Sequence, residues 1–422
     1  MCEENIKFGD YIIIQRQKYS KLYKFTEKTA SVTLGKQKID LSTIEGHPYY
    51  ATFRMVPQSG DKTFKLEHCI NPQDIKEAIA IDKSGKDNRD IFDDGRSQGL
   101  TEEEIKNLRD TCETSTEIVE HLVDNSKTFA SKTEYAQEKY LRRKEKKYYE
   151  YVQIRKPTLR LIFDIYFRKD PEKLLNMRMD TLSQIISYSG VCSSGKYLVY
   201  ESGTNGICLA AFLNATGDCG DAHVVSVHPG NFPNKQAVMA MNFPPSYEEK
   251  FTTVNLYSVL RHYYQKDPAA KEIAAEQDTT ADDEGKEMAP TNNVEEPLPK
   301  KRKVEAEEKK QWQLDNAKAC SIIRNKVDSL TIVAKEHPTT IFRELVHFVR
   351  PGRPFIIYSP YREILIECFN DLKGTPSVLG LRIYSNVLRM YQVLTDRTHP
   401  DMMMSGNSGF LLCGYTINRD GE

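Results

Sequence analysis

The sequence predicts an α+β and α/β protein: a small antiparallel β-barrel-like domain, a helical linker, and a domain with a parallel sheet wrapped by helices. Three observations predict this arrangement. Short segments of alternating apolar and polar residues come first, long polar helical patterns follow, and strand-like and helical stretches alternate after Pro157. The chain has 422 residues, of which 39% are hydrophobic. It is longer than one average domain and can bury two hydrophobic cores.

The predicted regions are residues 1–70, 71–156 and 157–422. In the first, the segments DYIIIQ, YKFTE, SVTLGKQKID and YYATFRMV are separated by Gly, Lys and Pro, as in a small antiparallel barrel or sheet. In the second, Thr101 and Glu104 have the spacing of a capping box at the start of a long polar helix.

The third region alternates strand and helix patterns, which is typical of a parallel sheet covered by helices. One segment interrupts it, at about residues 266–320, where apolar spacing disappears and Asp, Glu, Lys, Ala, Thr and Pro dominate. Such a composition cannot bury enough apolar surface to order itself, so we expect a disordered insertion between two strands.

Composition excludes several function classes. A formal net charge of -1 argues against a uniformly basic surface, so contact with nucleic acid must come from local clusters. None of the nine cysteines falls in a C-x-x-C spacing and no H-E-x-x-H occurs, so we expect free thiols and no metal site. The start MCEENIKFGD lacks the layout of a secretory signal, and no apolar run could span a bilayer, so we expect an intracellular protein without membrane contact.

A glycine-bearing turn in VYESGTNGICLAAF resembles the start of a methyl-donor or dinucleotide site. Such sites need glycines where the ligand approaches the backbone, and here the turn reads Glu201, Ser202, Gly203, Thr204, Asn205, Gly206, Ile207. Glycine would be wanted at 205 and 207. Asn205 tolerates a left-handed backbone, but the β-branched Ile207 is a bulky wall where a donor would lie. The alternative is a tight strand-to-helix connection without a ligand.

The following strand, in AHVVSVHPGN, ends at His228, Pro229 and Gly230 without the carboxylate that would bind the ribose hydroxyls. Two independent requirements for the donor therefore fail together. We expect no catalytic residue and no bound cofactor in this chain.

Five blocks closely resemble the non-catalytic subunit family of the eukaryotic tRNA adenine-58 N1-methyltransferase, in the family's order. They are DNRDIFDDGRSQGLTEEEI (88–105), KTEYAQEKYLRRKEKKY (132–148), MRMDTLSQIISYSG (177–190), RPFIIYSPYREILIECF (353–369) and LRMYQVLTDRTHPDMMMSGNSGFLLCGYTI (388–417).

This resemblance implies a β-barrel-like amino-terminal domain and a Rossmann-like methyltransferase domain that no longer binds S-adenosylmethionine. It also implies tRNA binding and pairing with a related catalytic subunit, two of each. The matching turn of the catalytic subunit reads E-x-G-T-G-S-G, so Asn205 and Ile207 replace its later glycines. The aspartate of its D-L-P motif, which serves the adenine, aligns with Val333.

The first candidate RNA-binding set lies in EKYLRRKEKKYYEYVQIRKP, where eight cations are interleaved with tyrosines. On a helix, residues 139, 143, 146 and 147 share a face, which could meet a run of phosphates. The alternative is a merely solvated helix face; with the resemblance, we expect binding. The cations are Lys139, Arg142, Arg143, Lys144, Lys146, Lys147, Arg155 and Lys156.

A second candidate set consists of Arg389, Arg397 and His399 in LRMYQVLTDRTHP. These residues could contact RNA, or they could organise a subunit interface beside the apolar MMMSG stretch, and arginine serves both purposes.

A basic run within the insertion resembles a nuclear localisation signal: Lys300, Lys301, Arg302 and Lys303 follow PLP. Closely spaced cations on an extended chain fit an acidic receptor groove, whereas the alternative is a solubilising charge block.

The sequence thus predicts a nuclear tRNA-binding subunit without an active site. Two alternatives remain: a methyltransferase with an unusual donor pocket, in which Glu201 or Asp221 replaces the missing contacts, and a nuclear RNA-binding scaffold without a methyltransferase partner.

Overall fold

The computed structural model describes residues 4–26, 31–35, 37–57, 63–72, 85, 97–111, 114–265, 300–393, 398–404 and 406–418. It separates into two compact units, Met1–Pro157 and Thr158–Glu422.

The first unit contains a largely antiparallel sheet, which closes around a core that includes Ile12, Phe25 and Phe53. The alternating segments form its strands because every second side chain faces this core. The strands are β1 (Tyr11–Arg16), β2 (Tyr19–Lys24), β3 (Ser31–Leu34), β4 (Gln37–Asp40), β5 (Thr52–Pro57), β6 (Thr63–Cys69) and β7 (Tyr151–Arg155). Their order in the sheet is β2-β1-β7-β5-β6-β4-β3.

Strand β7 corrects the predicted helical linker, since it lies between β1 and β5 in the sheet. Val152 and Ile154 are buried there, but an alternation of only five residues after a basic helix gives a weak strand signal. The helical part before it consists of α1 (Glu102–Thr111), α2 (Ser115–Asp124) and α3 (Glu134–Tyr148). The predicted capping box is confirmed, because the Glu104 carboxylate accepts the Thr101 N–H at 2.8 Å and the Thr101 hydroxyl accepts the Glu104 N–H at 3.3 Å.

The second unit is built on a seven-stranded sheet. Its strands are β8 (Lys196–Glu201), β9 (His223–His228), β10 (Phe251–Asn255), β11 (Ser329–Val333), β12 (Pro354–Ser359), β13 (Val378–Ser385) and β16 (Phe410–Thr416), and the pair β14 (Tyr391–Gln392) and β15 (His399–Pro400) lies apart. Their order in the sheet is β10-β9-β8-β11-β12-β16-β13. The Rossmann-like architecture is confirmed, but the sheet is mixed, since β16 runs antiparallel to both β12 and β13.

Helices cover this sheet, and short 3-10 turns occupy Pro171–Leu174, Pro245–Lys250 and Val346–Phe348. The central strands β9 and β11 are buried along their whole length and β8 is buried from Tyr197 onward, as expected of parallel strands covered on both faces. The helices are α4 (Leu159–Lys169), α5 (Met179–Ser189), α6 (Ile207–Thr216), α7 (Gln236–Ala240), α8 (Leu256–Gln265), α9 (Lys300–Arg324), α10 (Pro338–Leu345) and α11 (Arg362–Lys373).

Helix α9 corrects the predicted disorder of residues 300–320. Its last turns belong to the core, where Ala319, Cys320 and Ile323 are buried. These apolar residues stand at helical spacing at the end of a polar run, which hides the helix from a composition argument. The rest of the predicted insertion, residues 266–299, lies outside the described residues. In the described part of the chain no helix has the length and apolarity that a membrane crossing requires.

Candidate functional site

The glycine turn lies at the carboxyl end of β8, in the middle of the second sheet, where parallel α/β folds bind ligands. Gly203, Asn205 and Gly206 all have a left-handed backbone, with φ of 78°, 55° and 76°. Asn205 therefore adopts the left-handed backbone that the sequence analysis expected this residue to tolerate. Helix α6 starts immediately afterwards at Ile207.

The carboxylate of Glu201 is buried and is fully occupied by this turn. Its Oε1 accepts hydrogen bonds from the Thr204 hydroxyl and from the Cys208 N–H at 3.1 Å, and its Oε2 accepts the Leu209 N–H at 3.0 Å. Burial raises the pKa of Glu201, and these hydrogen bonds act in the opposite direction. The carboxylate satisfies amides in the first turn of α6, so it serves the protein instead of a ligand.

The space above Gly203 is filled by Lys335. A Cβ at Gly203 would lie 2.4 Å from Cε of that lysine. The segment after β11 is held there because the Ser202 N–H donates to the Val333 carbonyl at 2.9 Å and the Ser202 hydroxyl accepts the Lys335 N–H at 2.9 Å. Val333, predicted to replace an aspartate, is the last residue of β11 and is completely buried.

A second segment covers Gly206. A Cβ there would lie 2.3 Å from the carbonyl oxygen of Asn234, in the loop after β9. Asn205 fixes this loop, since its side-chain oxygen accepts from the Asn234 amide at 3.0 Å and its carbonyl accepts the Ala237 N–H at 3.0 Å.

The prediction named Ile207 as the wall of the cleft, but the structure places that side chain in the core, with no exposed surface. The residues that fill the turn are Lys335 and Asn234. The sequence carries no signal for their placement, because it depends on how two distant loops return to the sheet. In this structure the Lys335 side chain lies against Gly203 and the backbone of the Asn234 loop lies against Gly206.

The tip of β9 also lacks a ribose acceptor. The His228 ring bonds the Gly230 carbonyl at 2.8 Å, and the Asn255 amide donates to the same carbonyl at 2.8 Å. Asp221, the alternative acid, precedes the amino end of β9 and pairs with Lys196, the first residue of β8, at 3.4 Å. It therefore lies at the opposite edge of the sheet from the glycine turn, and this structure does not support its use in a donor pocket.

Four of the predicted RNA-binding cations form an exposed face of α3, here called the basic face: Lys139, Arg143, Lys146 and Lys147. The opposite side of the helix is buried through Leu141 and Tyr148. Lys139, Arg143 and Lys146 have no ion-pair partner among the residues that the structure describes, so their charges point to solvent.

The other four cations of this set make contacts within the first unit. Arg142 pairs with Glu138 at 2.5 Å, and the Lys144 ammonium lies 5.1 Å from the ring centre of Tyr140. Burial, and next the charge of Lys147, lower the pKa of Lys144.

The remaining two belong to the strand end. Arg155 donates to the Gln15 side chain at 2.7 Å, and Lys156 pairs with Glu4. These contacts stabilise the sheet of the first unit. The sequence alone could not distinguish this structural role from contact with RNA.

The second candidate set lies on residues 386–408, here called the terminal arm, which contains the β14–β15 pair. Arg389 and His399 are exposed there, whereas Arg397 lies outside the described residues. The arm presents apolar side chains to solvent, with Met403 99% exposed. Its other exposed apolar residues are Val387, Leu388, Met390, Tyr391, Val393 and Met402.

Both ends of the terminal arm are anchored at the start of α5. The buried Arg178 guanidinium bonds both carboxylate oxygens of Asp180 at 2.9 and 2.8 Å. It also donates to the carbonyls of Gly406 at 3.3 Å and Asn386 at 3.4 Å. Burial alone would raise the pKa of Asp180, but the hydrogen bonds and charge of Arg178 outweigh it and lower that pKa. Sequence reasoning missed this anchor, although its block, MRMDTLSQIISYSG, was one of those carrying the resemblance.

Residues 300–303, the predicted localisation signal, form the first turn of α9. Their backbone is therefore helical, and the expectation of an extended chain is wrong for this structure.

The Gcd10p family model matches residues 5–301. The mouse (Mus musculus) protein named tRNA (adenine(58)-N(1))-methyltransferase non-catalytic subunit TRM6 is 32% identical, over 98% of this chain and 88% of its own length. The Dictyostelium discoideum protein of the same name is 27% identical, over 98% of this chain and 80% of its own. Among solved structures, a SAM-dependent O-methyltransferase from Thermotoga maritima aligns over 99% of this chain and 97% of that chain, with 11% identity and a TM-score of 0.49. With a matching family model over most of its length and a relative at this identity, the chain belongs to the Gcd10p family.

Proposed function

We propose that this chain is the non-catalytic, tRNA-binding subunit of a tRNA N1-methyladenosine methyltransferase that modifies adenine 58 in the T-loop. It carries out no reaction itself and assembles with a catalytic subunit, two copies of each. The observation that carries the proposal is a glycine turn filled by Lys335 and Asn234, in a chain aligned over 98% of its length with a protein named as a non-catalytic subunit.

The filled turn supports the absence of catalysis in physical terms. A methyl donor needs close approach to the turn backbone and a carboxylate for its ribose. Both glycine approaches are covered, and the buried carboxylate at the turn, Glu201, already accepts three hydrogen bonds.

The basic face of α3 supports the binding of tRNA. Its cations are exposed on one side of a helix whose other side is buried, so they meet phosphates without rearrangement of the fold. Lysine and arginine contact phosphates without reading sequence, and the base edges of duplex RNA are poorly accessible. The basic face therefore supplies affinity and position. Discrimination among tRNAs rests on other contacts.

The terminal arm supports contact with the catalytic partner. Contiguous exposed apolar side chains are uncommon on monomers and mark interaction surfaces. Methionine and aromatic residues are also enriched in protein interfaces. Of the two interpretations of the Arg389 region, we favour the interface, with Arg389 at its rim.

We further propose that the chain acts in the nucleus, with Lys300, Lys301, Arg302 and Lys303 as the receptor-binding cations. A helical first turn would have to unwind on the receptor, which costs little at a helix end because terminal turns fray.

Native mass spectrometry of the tagged protein from its source cells tests the assembly. A complex with two copies of this chain and two of a catalytic subunit is expected. Recovery of the chain without any methyltransferase subunit would favour the RNA-binding scaffold. A calorimetric titration of the isolated chain with S-adenosylmethionine should give no saturable heat; binding at micromolar concentration would support the active-enzyme alternative.

A charge-reversal pair tests the basic face in the reconstituted complex. Lys139→Glu with Lys146→Glu should weaken tRNA binding and reduce the slope of log K against log salt by about two or more. Lys169→Glu with Lys373→Glu changes the charge equally at two exposed lysines of the second unit and serves as the control. Equal losses from both pairs would mean that only the net charge matters.

A further inference from the structure

The second unit contains a pocket of about 800 Å³ that lies beside the filled turn, at the carboxyl ends of β9 and β10. The loop after β9 forms one wall, with Phe232 and Lys235. The start of α8, with Tyr257, and the middle of α9, with Trp312, form the other walls. Nothing in the proposed function uses this pocket.

Three aromatic side chains line the pocket and remain accessible. The exposed fractions are 87% for Phe232, 73% for Tyr257 and 45% for Trp312. Exposed aromatic rings around a concave site offer flat surfaces on which planar rings stack, and stacking on one base contributes about 1–3 kcal/mol.

The pocket also presents a polar side chain. Asn316 lines the pocket and is only 3% exposed. A ligand that pairs with this amide would make its hydrogen bond in a largely desolvated place. An Asn side chain offers one donor and one acceptor together, which matches the N6 and N7 edge of adenine.

The charges of the lining favour a neutral ligand. Lys235 and Asp315 carry opposite charges, and the Lys235 ammonium lies 5.2 Å from the ring centre of Phe251. A bound phosphate would be attracted to the Lys235 ammonium but repelled by the Asp315 carboxylate. An uncharged base is not repelled by either group.

We propose that this pocket binds an unpaired adenine base, stacked on Trp312 and Tyr257 with its edge against Asn316. The inference deepens the proposed function and rests on it, because the bound RNA supplies the base. An unpaired base is held in this way only where the RNA is single-stranded or unstacked, so the pocket selects a loop or an end of the RNA. A free adenine mononucleotide presents the same chemistry and is the other possible source.

Trp312 is the only tryptophan in the chain, so its fluorescence reports on this pocket alone. The full chain is titrated with short oligoadenylate, short oligouridylate and AMP. Oligoadenylate should quench the fluorescence saturably, with an affinity about tenfold or more above that of oligouridylate. AMP should bind more weakly than oligoadenylate; equal affinity would overturn RNA as the source.

Matched variants identify the contacts. Tyr257→Ala and Asn316→Leu should each reduce the affinity for oligoadenylate about tenfold. Tyr361→Ala removes a similarly exposed tyrosine, at 64%, that does not line the pocket, and should leave the affinity unchanged. Circular dichroism confirms that each variant is folded, and a folded Asn316→Leu variant with unchanged affinity would overturn the role of the amide.

Two results would overturn the inference while leaving the proposed function intact. Oligonucleotides could leave the fluorescence unchanged while tRNA binding by the complex still depends on Lys139 and Lys146. Alternatively, the catalytic partner could shift the fluorescence where no oligonucleotide does, and the pocket would then belong to a protein interface.

Discussion

Replacement of Arg178 by alanine should release the terminal arm. The Arg178 side chain is 6% exposed and bonds an Asp180 carboxylate that is 20% exposed. Loss of one partner of a buried ion pair costs about 3–5 kcal/mol, and the partial exposure of Asp180 places this case near the lower limit. The bonds to the Gly406 and Asn386 carbonyls, at 3.3 and 3.4 Å, are long and add at most about 1 kcal/mol together. We expect a total of about 3 to 4 kcal/mol.

Urea unfolding and hydrogen exchange measure this effect separately. The unfolding midpoint should fall, and amides of residues 386–408 should lose protection before those of the central sheet. Arg178→Lys is the matched control, because it keeps the charge but cannot bond both carboxylate oxygens and both carbonyls. It should recover only part of the loss. The affinity for the catalytic partner should fall together with the hydrogen-exchange protection of the terminal arm.

The pH dependence gives an independent check. Because the pKa of Asp180 is lowered from 3.8, the ion pair stabilises the fold above that pH and its contribution is lost as the pH falls through the lowered value. The alanine variant should lack this acid-sensitive contribution to the free energy of unfolding. An unfolding free energy within about 0.5 kcal/mol of wild type, with unchanged arm protection, would refute the anchor.

Three further predictions concern the second sheet. Glu201→Gln places an amide where the carboxylate accepts the Leu209 N–H, so chemical denaturation should show a loss of about 1–3 kcal/mol; no loss would contradict the capping role. Gly206→Ala combines a φ of 76° with a Cβ 2.3 Å from the Asn234 oxygen, and should lower the unfolding free energy by about 2 kcal/mol or more. Burial, then the charges of two nearby lysines, lower the pKa of His223 from 6.5 to about 4, so the neutral ring is favoured in the fold. Stability should therefore fall by roughly 2 kcal/mol as the pH drops from 6.5 to about 4, and His223→Gln, compared by urea titration across that range, should remove this fall.

The main architecture could be predicted from the sequence because it depends on local periodicity. The alternation in DYIIIQ and YYATFRMV gives β1 and β5, and the buried apolar runs give β8, β9 and β11. Strand β7 and the end of α9 were missed because their apolar residues are few and lie beside strongly polar runs.

The candidate site could be predicted only in part. The absence of glycine at Asn205 is visible in the chain, and the structure gives this residue a left-handed backbone, as the sequence allowed. The identity of the group that fills the turn is not visible, because Lys335 lies 132 residues after Gly203 and reaches it only through the sheet. The division of the basic cluster is hidden for the same reason: Arg155 bonds Gln15 across a strand pairing that no local pattern specifies.

The two segments that rest on the glycine turn also affect how this turn could be engineered to accept a ligand. A return of glycine at position 205 would remove the amide that holds Asn234, but the loop and Lys335 would still occupy the space. Displacing the loop would also break the hydrogen bond from the Ala237 N–H to the Asn205 carbonyl, at a cost in stability. Opening the turn to a ligand would therefore require changes in the loop after β9 as well as in the turn itself.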